Sequence, residues 1–144
     1  MALQAALILG VVGTGAFGPT WPAAWRSPLG VAGAVFLLAG VGLLLGGALA
    51  LGPALTPLPR PREAASLRDG GLYGFVRHPI YGAVMLLALG ASLRASPWAL
   101  IPTAFLVLVL AGKSVREERW LVERYPAYPA YRERVRRRFL PFIW

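Results

Sequence analysis

The strongest constraint in this sequence is an unbroken apolar block from Leu29 to Leu51, 23 residues without one charged side chain. At roughly 1.5 Å per residue, a helix of that length spans a hydrocarbon layer of about 30 Å. Gly40, Gly42, Gly46 and Gly47 lie inside it. In a soluble helix each would weaken the structure, whereas in lipid small residues let helices approach closely.

Three further apolar blocks accompany it. The first runs from Ala2 to Phe17 with no basic residue before it. Pro19-Thr20-Trp21-Pro22 behind it does not resemble a small-residue cleavage site, so it reads as a retained span rather than a signal peptide. Trp21 and Trp25 suit a membrane–water interface. Residues 79–93 and 97–112 form the other two, separated by Arg94-Ala95-Ser96, and read as a tight helical hairpin. Pro79 and Pro97 both fit a first helical turn. Residues 53–78 form a proline-rich polar loop, extended in part because a residue before proline avoids the helical region. From Lys113 the fourth helix continues into a charged stretch, with Val115, Trp120, Leu121 and Tyr125 on one face, until Pro126 and Pro129 end it. The expected fold is all-α: a polytopic membrane helical bundle of about four transmembrane helices. It forms a single integral membrane domain over 1–144, with a cytoplasmic tail from 113 to 144.

Composition agrees. Of the 144 residues, 57% are hydrophobic and only 15% charged, too few to cover a soluble domain of this size. The net charge of +9 would suggest nucleic acid in a soluble protein. Here the basic residues flank apolar spans and face lipid headgroups, so no nucleic-acid partner is expected. If the loops alternate sides, Arg26 and Arg94 lie alone on one side, and the remaining 13 basic residues lie on the other with all six acidic ones. The positive-inside rule then places both termini and the middle loop in the cytoplasm. Without cysteine and with one histidine, a Cys/His metal site is excluded, and no metal is expected.

Gly13-Thr14-Gly15-Ala16-Phe17-Gly18 fits a G-x-G-x-x-G pattern, but it ends an apolar helix and no carboxylate follows until Glu63. A dinucleotide fold needs a strand before it and an acidic residue about 20 positions on. The glycines therefore read as packing and turn residues.

Three polar constellations remain. Gly71-Leu72-Tyr73-Gly74-Phe75-Val76-Arg77-His78-Pro79-Ile80-Tyr81-Gly82 sets the only histidine at the mouth of the third span, with Tyr81 one turn further on. Lys113 and Glu117 are four apart and able to pair. Glu117 and Glu118 point in different directions just past an apolar helix, where an unpaired carboxylate is costly. Tyr128-Pro129-Ala130-Tyr131-Arg132-Glu133-Arg134-Val135 forms the third. Taken singly, the first and third also read as interfacial anchoring, and the second as a solvated helical face.

As an ordered set they resemble the isoprenylcysteine carboxyl methyltransferase and phospholipid methyltransferase family. The resemblance rests on Leu51-Gly52 with Thr56-Pro57, Gly71-Leu72-Tyr73, Arg77-His78-Pro79-Ile80-Tyr81, Glu117-Glu118, Tyr128, Tyr131, Arg134-Val135 and Leu140-Pro141. It covers about two-thirds of the chain. It implies S-adenosylmethionine as methyl donor, bound at the cytoplasmic ends of the helices. It carries Leu72, Tyr73, Val76, Arg77, His78, Pro79, Tyr81, Glu117, Glu118, Tyr128 and Tyr131 to the cofactor site. Arg134, Glu118 and His78 are the candidate catalytic residues. Pro53 and Ala54 stand where the family has a polar Arg-Asn pair, Arg136 replaces a proline, and the link from Tyr125 to Tyr128 is one residue shorter. These departures fall on the substrate side.

The implied acceptor is lipophilic or membrane-associated and enters laterally from the bilayer. A carboxylate acceptor needs no general base, while a thiol or amine would need one, with His78 or a glutamate available. Arg134 is expected to steady an anionic substrate group or the cofactor's carboxylate. The Ala-, Leu-, Gly- and Arg-rich composition suggests a bacterial inner membrane. Two other readings are an NADPH-dependent membrane reductase of the related sterol reductase type and a non-catalytic membrane scaffold.

Overall fold

The computed structural model describes residues 2–52 and 69–141. Thr56-Pro57, the Pro53 and Ala54 departures and the loop arginines Arg60, Arg62 and Arg68 lie outside the described residues. The described chain is all-helical, with no strand. Its helices are α1 (Ala2–Phe17), α2 (Ala23–Leu51), α3 (Pro79–Ala95), α4 (Leu100–Arg124) and α5 (Tyr128–Arg134). Short 3-10 turns at Gly71–Gly74 and Pro97–Ala99 precede α3 and α4. Two stretches, Ala23–Leu51 and Pro97–Arg124, are long and apolar enough to cross a membrane; α1 and α3 are shorter apolar helices.

α2 starts six residues before the expected Leu29. Pro22 stands at its N-cap and Pro28 lies inside it. A proline in the second turn removes a single backbone hydrogen bond, and the helix tolerates it there. Arg26, expected in a loop, sits in the first turn and donates to the Trp21 carbonyl oxygen and Thr20 Oγ1 at 2.8 Å each.

α3 is the hub. It packs on α1, α2 and α4, while α2 meets the rest of the molecule mainly through α3 and the Gly71–Gly74 turn. The α2–α3 seam is built on Gly33, Gly40 and Gly47, spaced by seven and all buried. A Cβ on Gly33 would stand 2.7 Å from the Gly90 carbonyl oxygen, and one on Gly40 would stand 2.9 Å from Leu87 Cγ. Only hydrogen fits at those points, so the backbones touch directly. Of the glycines expected to pack, Gly40, Gly46 and Gly47 do so, but Gly42 faces open space and Gly33 takes part instead. Helical spacing explains the change, because seven residues return to the same face and two do not.

The G-x-G-x-x-G segment behaves as packing. It closes α1, where the Gly18 N–H bonds the Thr14 carbonyl and a Cβ on Gly18 would lie 2.6 Å from Ser96 Oγ. At that end Trp21 Nε1 donates to the Ser92 carbonyl and Arg94 to the Gly30 carbonyl. Arg26 and Arg94 thus share the end opposite the charged tail.

Polarity is inverted relative to a water-soluble protein. Leu9, Leu38 and Leu49 are 71%, 74% and 82% exposed, while Ser92, Thr103, Ser114, His78 and Glu118 are buried. Inside, Ser92 Oγ lies 2.8 Å from Thr103 Oγ1. The main core is Val11, Ala88, Ala99, Leu106 and Leu110. An apolar exterior around buried polar groups suits a hydrocarbon surrounding.

Two expectations about the charged end are corrected. Val115 is exposed; the inner face of α4 carries Ser114 and Glu118, with Leu121 and Tyr125 packed beneath α5. Pro129 does not terminate α4, which ends at Arg124, but occupies the first turn of α5. That is the helical position that needs no N–H donor.

Candidate functional site

The site is built where the approach to α3 meets the charged half of α4. Gly71 takes φ 58°, a left-handed conformation that favours glycine, and opens the 3-10 turn. The turn buries Val76 completely. His78 precedes Pro79, which keeps it out of the helical region (φ −129°, ψ 59°) and makes it the cap of α3. The backbone N–H groups of Arg77 and His78 donate to the carbonyls of Arg137 and Arg138, at 3.0 and 2.8 Å. The tail is thereby laid along the start of α3. Its Phe139 carbonyl rests against Gly82, where any Cβ would collide with it.

Glu118 lies at the centre, 4% exposed. Its Oε1 accepts from Arg77 Nε at 2.9 Å and His78 Nε2 at 3.0 Å. Its Oε2 accepts from Arg138 Nη2 at 3.4 Å. Burial alone would raise this carboxyl, but the hydrogen bonds from His78 and Arg77 and the charge of Arg77 prevail and hold it at about 2. It is therefore an acceptor at neutral pH, and the proton on Nε2 belongs to His78. Arg77 Nη1 continues to the Val135 and Arg136 carbonyls at 2.6 and 2.8 Å, binding the tail to the same carboxylate.

Glu117 differs in kind. Its side chain is 25% exposed. Its Oε2 accepts from the Tyr81 hydroxyl at 2.6 Å and lies 3.9 Å from His78 Nδ1. The His78 and Tyr81 rings stack with centroids 5.4 Å apart and planes within 1°. Lys113 Nζ stands 5.0 Å above the Tyr81 ring and donates to Gln4 Oε1 at 3.2 Å. Burial, then the charge of Glu117, raises the Tyr73 hydroxyl well above its usual range and keeps the phenol protonated. The cluster therefore has two halves: a closed one around Glu118 and a partly open one around Glu117.

Leu72, Tyr73, Val76, Arg77, His78, Pro79, Tyr81, Glu117 and Glu118 come together at this end. Tyr128 and Tyr131 form the core beneath the tail with Val135, their rings 5.5 Å apart. The Tyr131 hydroxyl ties this core to the site by donating to the Tyr73 carbonyl at 2.8 Å. Burial pushes the Tyr131 phenol up to about 12. Arg134 stands apart from both glutamates. It is largely exposed, paired with Asp69 at 2.7 Å, with its guanidinium 5.9 Å from the Tyr131 ring centroid.

Sequence reasoning missed Arg138 and Phe139. Arg138 Nε is buried, 3.4 Å from Glu118 Oε1, without a hydrogen bond. Phe139 is buried, with its ring 6.3 Å from His78. Within Arg136-Arg137-Arg138, nothing in the sequence separates the arginine that turns inward from the two that do not.

A family model described as phospholipid methyltransferase matches residues 29–128, from α2 to the start of α5. The chain belongs to the phospholipid methyltransferase family. No curated protein matches it significantly. The matched span includes the Arg77-His78-Pro79 entry to α3 and the Glu117-Glu118 pair of α4, so both halves of the cluster lie within the family's shared region. Membership makes this chain a methyltransferase in general terms, from a family that generally uses S-adenosylmethionine. With its two long apolar helices, it also supports membrane association. Tyr131, Arg134 and Arg138 fall beyond the matched residues, in the tail that Arg77 and Glu118 hold down.

Proposed function

We propose that this family member transfers a methyl group from S-adenosylmethionine to a lipophilic or membrane-associated acceptor at the cytoplasmic face of a bacterial inner membrane. The observation that carries the reading is the partly exposed Glu117 carboxylate beside the stacked His78 and Tyr81 rings, inside the family-matched segment. The methyl donor carries a sulfonium and an ammonium group. A carboxylate and electron-rich ring faces are the groups that attract such cations. When bound, the donor supplies an electrophilic methyl on sulfur.

The protein's own part is mostly positioning. Glu117 and Tyr81 would hold the donor's cationic end, with Tyr73 and Leu72 flanking it. His78 Nε2 is committed to Glu118, so Nδ1 is the ring nitrogen left to face a reacting group. For a thiol or amine acceptor, Nδ1 or Glu117 would take the proton. A carboxylate acceptor would need neither. The Arg77–Glu118 pair keeps the tail folded over the site and excludes water, which strengthens charge interactions within it. Arg134, from its place in the tail motif, would steady an anionic group of the acceptor or the donor's carboxylate.

In this reading α1 to α4 each cross the bilayer and the whole chain is one integral membrane domain. The site and both termini lie on the cytoplasmic side. That agrees with Arg26 and Arg94 at the opposite end and with Gln4 beside Lys113 at the charged end. The apolar exterior supports entry of the acceptor from the lipid.

Calorimetry on purified protein in nanodiscs, with S-adenosylmethionine, S-adenosylhomocysteine and NADPH, tests the reading. Saturable binding of the first two is expected. Binding of NADPH alone, or of nothing, would sink it. Incubating membranes with labelled methyl donor would then identify the acceptor.

A further inference from the structure

A groove outside the Glu117–Glu118 cluster has no part in the proposed chemistry. It runs between the first turn of α1 and the middle of α4 and has a volume of about 430 Å³. Leu3 and Gln4 line it from α1, and Val109, Lys113, Arg116 and Trp120 line it from α4. Among the described lining residues there are two cations and no carboxylate. The guanidinium of Arg116 lies 5.1 Å over the Trp120 ring, which holds that charge beside the groove. Gly112 leaves the floor open, since a Cβ there would meet nothing within 4 Å.

Position along α4 decides what fits. Lys113 is the first charged residue after the apolar run from Leu100 to Gly112, and Arg116 follows one turn later. Along α4 the groove therefore straddles the level where apolar surface gives way to charge, with Val109 on one side of that level and the two cations on the other. A tryptophan at that border is the residue expected at headgroup depth. We propose that this groove holds an anionic phospholipid. The phosphate lies against Lys113 and Arg116, and an acyl chain lies along Leu3 and Val109. The bound lipid bridges α1 and α4 at the charged end. Lys113, which also covers the Tyr81 ring, brings the groove next to the cluster.

The test reads lipid binding directly and needs neither methyl donor nor activity. Purified protein is titrated with phosphatidylglycerol, phosphatidylcholine or inorganic phosphate, and bound lipid is counted by native mass spectrometry. Phosphatidylglycerol is expected to bind in preference to phosphatidylcholine. The double variant Lys113→Gln/Arg116→Gln should weaken it by about tenfold or more, while the charge-matched Arg119→Gln/Arg132→Gln variant leaves it nearly unchanged. Gly112→Leu keeps both charges and fills the groove, and it too should lose the lipid. Its Cβ meets nothing within 4 Å, so the backbone need not shift and the variant serves even if the charge variant fails to fold. Equal binding of the two lipids, or equal loss in the two double variants, would overturn the proposal in favour of general headgroup attraction. Displacement by inorganic phosphate at concentrations comparable to the lipid would overturn it in favour of a free-phosphate site. Full binding by Gly112→Leu would place the lipid elsewhere.

Discussion

Arg77 Nε and Glu118 Oε1 meet at 2.9 Å with both side chains at most 7% exposed, and Arg77 then reaches the carbonyls of Val135 and Arg136. One ion pair therefore connects the entry of α3, the inner face of α4 and the tail. Removing one partner of such a pair leaves the other charge buried and uncompensated, at about 3–5 kcal/mol. Glu118→Ala should destabilise the protein by that amount, measured by denaturant unfolding in mixed micelles. Loss should be smaller for Glu118→Gln, which keeps an acceptor oxygen. An Ala variant as stable as the parent would mean that the tail is held by its backbone bonds alone.

Acid should loosen the same joint. The Glu118 carboxyl titrates at about 2 in the fold, against an ordinary 4.5. A depressed pKa contributes stability that is complete above the ordinary value and is lost as pH falls through the folded one. Unfolding midpoints should therefore decline as pH drops below about 4.5 towards 2. Glu118→Gln should flatten that part of the curve, and an unchanged slope would remove Glu118 as its source.

The Tyr81–Glu117 hydrogen bond bears on both donor binding and folding. Tyr81→Phe keeps the ring stacked on His78 and removes only the hydroxyl at 2.6 Å from Glu117. Glu117 then loses the bond that orients it, so affinity for S-adenosylmethionine should fall. A hydrogen bond to a charged group contributes about 1.5–3 kcal/mol, so stability should fall by at most that amount. Calorimetry and a melting curve on the same sample check both.

Arg134 and Arg138 should behave oppositely to their apparent prominence. The Arg134–Asp69 pair is exposed, and such pairs are worth about 0–1 kcal/mol, so Arg134→Ala should hardly change stability. If it also retains full activity and donor affinity, Arg134 steadies nothing in the reaction. Arg138→Ala removes a half-buried partner of Glu118 and should lower stability more than Arg134→Ala does.

The glycine seam predicts a sharp positional contrast. Gly33→Val must push α2 away from the Gly90 carbonyl and should cost about 1–3 kcal/mol. Gly42→Ala faces open space and should be neutral or slightly stabilising, since alanine is the better helix former. Parallel unfolding curves of the two variants would show it.

Much of this was readable in the chain. The apolar blocks predict where the four long helices lie, with α2 starting six residues early, because prolines mark helix starts. The motif residues from Leu72 to Tyr81 and Glu117-Glu118 lie together at one end of the bundle. What was not readable depended on rotation about helix axes and on chain reversal. Adjacent glutamates look alike in sequence, yet a 100° step along α4 sends Glu118 inward to Arg77 and leaves Glu117 near the surface. Arg138 was hidden for a similar reason: its direction is fixed by backbone bonds between 77–78 and 137–138, a pairing with no local sequence signal. Gly33 escaped notice because its partner, Gly90, lies on another helix.

The attachment of α2 through α3 bears on how the molecule is made. α1 and α2 leave the ribosome first, but α1 packs on α3 and α4, and α2 packs on α3. The first half of the chain thus has little tertiary structure of its own to form. In the proposed four-span topology it waits as separate helices until α3 arrives, and the Gly33–Gly90 contact cannot form before then. Assembly then hinges on the third helix, so a fault in placing it would strand both earlier ones.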